Sequence, residues 1–157
     1  MGKVRSILLV CTGNSCRSVM AEGLLKKYLK EAGKGDIEVR SAGVIAVDGL
    51  GPTIETVETM KEEGIDVSNF RATRLTDELI KSSDLILVME ESHRAEIVER
   101  VPEAAPKTHL LKKFGAEDDK RHSEGFSIPD PIGRPPKDYG YCRETIKREI
   151  ERIVKLL

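Results

Sequence analysis

Short apolar runs alternate along this chain with longer stretches whose apolar residues recur at helical spacing. Residues 4–10 end in four consecutive apolar side chains, Ile7 to Val10, the pattern of a strand covered on both faces. Residues 18–32 place Val19, Met20, Gly23, Leu24, Tyr28 and Leu29 on one helical face, with Gly33 as the stop. Residues 37–42 read as a second strand, and 43–52 as a Gly-rich loop. Residues 53–63 form a helix ended by Gly64, and 76–81 a short helix opened by Thr76. Asp-Leu-Ile-Leu-Val-Met at 84–89 is the third strand, 91–101 the helix after it, and 108–111 a weak fourth strand. Residues 115–133 are polar, rich in Gly and Pro, and too irregular for the core. Residues 139–157 close the chain as an amphipathic helix carrying Ile146, Ile150, Ile153 and Val154 on one face. Strands alternating with helices predict an α/β fold: a parallel sheet, right-handed crossovers and helices on both faces. Ligands bind such sheets beyond the carboxyl ends of the strands, which is where Cys11 falls.

With 157 residues the chain suits one domain, 1–157, and no repeat or low-complexity segment breaks it. Twenty-six basic residues against 27 acidic ones give no overall attraction to nucleic acid or membrane. No apolar run approaches the roughly 20 residues of a membrane span, and the N-terminus leads into a strand without a signal peptide. Three cysteines, an odd number, do not make a disulfide framework, so the expected setting is cytoplasmic with reduced thiols.

Candidate chemistry concentrates at residues 11–18, Cys-Thr-Gly-Asn-Ser-Cys-Arg-Ser. A cysteine five residues before an arginine, between a strand and a helix, is the spacing for wrapping one tetrahedral oxyanion. Backbone N–H groups from Thr12 to Arg17 would point inward, Arg17 would grip two oxygens, and the Cys11 sulfur would lie under the phosphorus. The following helix would add its positive N-terminal end, a field that favours a nucleophilic thiolate. Gly13 is expected to supply a positive φ and Asn14 to hold the turn. Ser18 either donates to the Cys11 thiolate or caps the helix. A thiolate phosphatase also needs an acid for the leaving group and a base for water. Asp130, between Pro129 and Pro131, is the candidate.

Taken together, residues 11–18, Ser41-Ala42-Gly43 and Asp130-Pro131 resemble the low-molecular-weight protein tyrosine phosphatases, in order and spacing over essentially the whole chain. The resemblance implies a flavodoxin-like, three-layer domain with a four-stranded parallel sheet. It also implies a two-step hydrolysis of a phosphorylated protein without metal or other cofactor, releasing inorganic phosphate. In that scheme Cys11 is the nucleophile, Arg17 the clamp, and Asp130 first the acid and then the base. Thr12, Gly13, Asn14, Ser15 and Cys16 line the phosphate loop, while Asn14, Ser18 and Ser41 brace it and stabilise the thiolate. Three positions depart from tyrosine-selective members. Phe70 stands in a segment where many carry His, and Val47 and Ile132 stand near positions usually aromatic, which weakens stacking on a phenyl ring. Ser15 replaces a bulky aliphatic residue, whereas the related protein arginine phosphatases carry a small hydroxyl there. The expected substrate is therefore phosphotyrosine, phosphoarginine or both, leaning to phosphoarginine.

Cys16, in the same loop, is a candidate disulfide partner for an oxidised Cys11. Cys142 reads as a packing residue. His93, His109 and His122 lack metal-ligand spacing and read as surface or partly buried residues. Two rivals share parts of the pattern. A thioredoxin-coupled arsenate reductase needs a redox pair of cysteines after the third helix, and residues 76–96 contain none. A cysteine phosphocarrier has no use for Arg17 or Asp130.

Overall fold

The computed structural model describes residues 3–116 and 125–157. Four parallel strands, β1 (Ser6–Cys11), β2 (Glu38–Gly43), β3 (Leu85–Val88) and β4 (Thr108–Leu110), lie in the order β2-β1-β3-β4. The helices are α1 (Arg17–Glu31), α2 (Ile54–Lys61), α3 (Asp77–Ser82), α4 (Glu91–Arg100) and α5 (Pro136–Val154). A 3₁₀ turn at Pro102–Lys107, absent from the sequence reading, leads into β4.

Both faces of the sheet are covered, which is why its strands are almost uniformly apolar. Ile7, Leu9, Leu85 and Leu87 face one way and join Leu24, Leu25, Ile146 and Ile150 of α1 and α5. Leu8, Val10, Ile86 and Val88 face the other way and meet Ile80 of α3 and Ile97 of α4. No helix among the described residues is long and apolar enough to cross a membrane.

Local chemistry sets the boundaries. Thr53 and Thr76 cap α2 and α3 from outside, accepting from the N–H groups of Thr56 and Leu79 at 3.2 Å each. Gly33 and Gly64 take positive φ just past α1 and α2. α5 begins three residues earlier than the apolar pattern indicates, because Pro136 supplies the pre-set φ of a first helical position. One reading is corrected outright. Ile128, in the segment assigned as too irregular for the core, is 1% exposed, and its N–H donates to the Met89 carbonyl at 2.9 Å. His122 lies outside the described residues.

From β1 the chain turns to β2 on one side, and it later returns to lay β3 on the other. The crevice at this reversal lies beyond the carboxyl ends of β1 and β3. Cys11 ends the first of these strands, and Met89 and Glu90 follow the second.

Candidate active site

The loop from Cys11 to Arg17 closes around the Cys11 sulfur. The Asn14 N–H donates to Sγ at 3.2 Å, and the Ser18 hydroxyl lies 2.9 Å from it. Asn14, fully buried, holds this arrangement together. Its φ of 53° is the one positive value at a non-glycine among the described residues, in a region that asparagine tolerates better than most side chains. Gly13 was expected to take that role and does not; its place in the loop leaves room instead, since a Cβ there would first meet Ser15 Oγ at 3.5 Å.

Hydrogen-bond direction follows from Asn14. Its Oδ1 accepts from the Thr73 N–H at 2.8 Å, so its amide nitrogen faces Ser18 Oγ at 2.7 Å and Ser41 Oγ at 3.0 Å. Ser41 passes its own proton to Glu22 Oε1 at 2.8 Å. Ser18 accepts from Asn14, which leaves its proton for the Cys11 sulfur. Ser18 is the second residue of α1, so it is not the cap of that helix. Glu22, missed in the sequence, is also paired with Lys26 at 3.0 Å. Phe70 is partly buried and packs against the core beside α1.

Arg17 is 2% exposed. Its Nη1 donates to Glu90 Oε2 at 2.5 Å and to the Ile128 carbonyl at 2.7 Å. Its Nη2 reaches Thr12 Oγ1 at 3.3 Å and lies 3.6 Å from Asp130 Oδ2. The Nε–H has no protein partner among the described residues, nor do the backbone N–H groups of Gly13, Ser15, Cys16 and Arg17. One nitrogen is thus anchored deep in the crevice. The Nε/Nη2 edge, the fork that matches two oxygens of an oxyanion, remains loosely held over the loop. Asp130 is half-buried, and its Oδ1 accepts from the Ile132 N–H at 3.1 Å, a tight turn that holds the carboxyl near Arg17.

A family model for low molecular weight phosphotyrosine protein phosphatases matches residues 6–157. The chain belongs to this phosphatase family. The protein-arginine-phosphatase of Geobacillus stearothermophilus is 37% identical over 151 residues, covering 96% of this chain and 95% of that one. The solved low molecular weight protein tyrosine phosphatase of T. tengcongensis superposes with a TM-score of 0.86 at 38% identity, covering 97% and 99%. A solved Cys-to-Ser mutant of the YwlE arginine phosphatase, with a phosphorylated active-site serine, gives 0.88 at 31% identity, covering 97% and 95%.

Besides Glu22, two residues around Arg17 escaped the sequence reading. Glu90 pairs with Arg17 across 73 positions, and the signal for it was topological: it follows β3, the neighbour of β1 at the reversal point. His93 was read as a surface or partly buried residue, but it is 1% exposed and lies in the crevice. Its Nε2 is 2.9 Å from Thr12 Oγ1, and its Nδ1 accepts from the Glu90 N–H at 3.1 Å. Burial, then the positive charge of Arg17, hold it at about 4, well below 6.5, against the opposing pull of Glu90 and Asp130. The ring is therefore neutral at pH 7.

The remaining cysteines are buried and free. Cys16 lies 3.7 Å from Ser15 Oγ and 3.6 Å from Thr53 Oγ1. Burial pushes the Cys142 thiol up to about 12, as befits a packing residue. In the segments after β2 and Asp130, Ile45, Val47, Leu50, Ile54 and Ile132 are all more than half exposed. The loop bearing the first three is tied to the phosphate loop, since the Ile45 and Thr53 N–H groups donate to the Thr12 and Ser15 carbonyls. Val47 and Ile132, near the two positions where tyrosine-selective members are expected to carry rings, present aliphatic side chains to solvent.

Proposed function

We propose that the chain is a cysteine-dependent protein phosphatase that hydrolyses phosphotyrosine, phosphoarginine or both through a cysteinyl-phosphate. The observation that carries this reading is one sulfur, Cys11 Sγ, held by Ser18 and Asn14 within a loop whose Gly13, Ser15, Cys16 and Arg17 N–H groups have no partner among the described residues, beside the Nε/Nη2 edge of Arg17. The Cys11 thiolate attacks phosphorus, and the bond to the leaving oxygen or nitrogen breaks as Asp130 supplies the proton. Asp130, now a carboxylate, takes a proton from water, which attacks the cysteinyl-phosphate. Inorganic phosphate leaves and the thiolate is restored. Arg17 and the loop donors follow the charge on the equatorial oxygens throughout.

The preference leans to phosphoarginine. The small hydroxyl of Ser15 and the aliphatic side chains of Val47 and Ile132 suit a guanidinium better than a phenyl ring. The free thiols fit a cytoplasmic setting, and the near-zero net charge gives no reason to invoke nucleic acid or membrane partners. Cys16 is the residue that would capture an oxidised Cys11 as a disulfide.

Parallel kcat/KM measurements on phosphotyrosine and phosphoarginine peptides test the substrate, with Cys11→Ser and Arg17→Ala as controls. Cys11→Ser should abolish turnover yet bind phosphate, and Arg17→Ala should lose both. A Cys11→Ser protein within tenfold of wild type would rule out the cysteine mechanism. Efficient cleavage of phosphotyrosine alone would remove the lean to arginine.

A further inference from the structure

His93 makes two hydrogen bonds whose directions are fixed by their partners. The backbone N–H of Glu90 can only donate, so Nδ1 is the unprotonated nitrogen and the proton of the neutral ring is on Nε2. That proton is donated to Thr12 Oγ1 at 2.9 Å, and the same oxygen receives Arg17 Nη2 at 3.3 Å. Thr12 therefore spends both lone pairs on His93 and Arg17. On the other side of the guanidinium, Glu90, the residue whose N–H is fixed by His93, takes Nη1 in its carboxylate. One buried ring thus stands behind two of the three hydrogen-bond partners of Arg17, the third being the Ile128 carbonyl.

We propose that His93 is a positioning residue for phosphate capture, which holds Thr12 and Glu90 so that the Nε/Nη2 edge of Arg17 faces the oxyanion. This rests on the phosphatase reading above. A bare helix-capping role is the alternative, because His93 also ends the N-terminal turn of α4 through the Glu90 N–H.

Two substitutions separate these roles, since the asparagine amide reaches about as far as Nδ1 and the glutamine amide about as far as Nε2. His93→Asn keeps an acceptor for the Glu90 N–H and loses the donor to Thr12. His93→Gln restores a donor to Thr12 and gives up the cap. The measurements are kcat and KM on an aryl phosphate, the inhibition constant of inorganic phosphate, and the urea midpoint of each protein. Positioning through Thr12 predicts that His93→Asn weakens phosphate inhibition and kcat/KM by about tenfold, as one lost hydrogen bond does, with an unchanged midpoint. It also predicts that His93→Gln recovers most of that loss, and that Thr12→Val reproduces it with no further loss when combined with His93→Asn. The proposal is overturned if His93→Asn binds phosphate like wild type, or if the losses in His93→Asn and Thr12→Val multiply. A wild-type protein that cleaves neither an aryl phosphate nor phosphoarginine would instead defeat the phosphatase reading itself.

Discussion

Replacing Asn14 by aspartate changes one atom of the site and inverts its hydrogen bonding. The new carboxylate still tolerates the left-handed backbone at φ 53° and still accepts from the Thr73 N–H. Where the amide nitrogen donated to Ser18 Oγ at 2.7 Å and to Ser41 Oγ at 3.0 Å, an oxygen now demands protons from both. Ser18 turns its hydroxyl away from the Cys11 sulfur, 2.9 Å off, and Ser41 abandons Glu22. The thiolate loses a hydroxyl donor, a bond to a charged group worth about 1.5–3 kcal/mol, and gains a buried negative neighbour. We expect kcat/KM on an aryl phosphate to fall by about ten- to several hundredfold, and alkylation of Cys11 by iodoacetamide to slow in parallel. The aspartate avoids the backbone strain of Asn14→Ala, but its buried charge carries its own cost in stability. The alanine strains the left-handed backbone by about 1–2 kcal/mol and strands the Thr73 N–H for roughly 1–3 kcal/mol more, a drop in Tm of the order of 10 °C. At low pH a protonated carboxyl regains one donor, so the aspartate variant should recover part of its deficit on acidification. If Asn14→Asp stays within twofold of wild type in both rate and alkylation, the direction of bonding inferred from Asn14 is wrong.

Four further outcomes are expected. Gly43→Ala would place a Cβ 2.7 Å from both the Asn14 nitrogen and the Thr12 oxygen, backbone atoms of the phosphate loop, so kcat/KM should fall at least tenfold with about 1–3 kcal/mol of stability; urea unfolding and aryl-phosphate kinetics check it. His93, neutral in the fold with its value near 4 against an ordinary 6.5, binds fewer protons folded than unfolded between those values. Its contribution is intact above pH 6.5 and declines as pH falls, with about 2 kcal/mol gone by pH 5, and His93→Asn should flatten urea stability across that window. Asp130→Ala should cost about 10²–10⁴ in kcat on substrates with a poor leaving group and less on an activated aryl phosphate; equal losses would make Asp130 a shaping residue only. Peroxide should inactivate the enzyme and dithiothreitol restore it, with mass spectrometry finding a Cys11–Cys16 disulfide; a Cys11 sulfonate beside a free Cys16 would refute that pairing.

The strands and helices were legible because burial on two faces leaves long apolar runs and capping leaves threonines and glycines at fixed offsets. The loop was legible because its parts lie within eight residues of one another. Errors arose where local pattern and tertiary demand diverge. Gly13 is the obvious residue for a positive φ, yet the loop places that conformation at Asn14, whose side chain must reach Thr73, Ser18 and Ser41 at once. Ile128 sits in a stretch with no periodicity, but its side chain fills the core while its carbonyl meets Arg17. His93 carries no motif, since a histidine three residues into a charged helix looks like a surface residue until the helix is docked.

Glu90 was hidden for a more general reason. A guanidinium that must meet an anion inside a fold cannot be left buried without partners, because an uncompensated internal charge destabilises by several kcal/mol. Something must hold Arg17, and for the proposed clamp role it has to do so while leaving the Nε/Nη2 edge open to an oxyanion. Glu90 compensates the charge from behind Nη1, while Asp130 stays 3.6 Å from Nη2, too far for a hydrogen bond that would close the fork. Two groups reach Nη1, the Ile128 carbonyl and the carboxylate of Glu90 on the neighbouring strand's exit, and of these only Glu90 carries charge. In this topology the neighbour at the carboxyl end of β1 is β3, and the first side chains beyond it are Met89, buried in the core, and Glu90. The need for a partner follows from Arg17 alone, but its identity follows only from the strand order. That is why a chain read residue by residue shows the clamp and not what holds it.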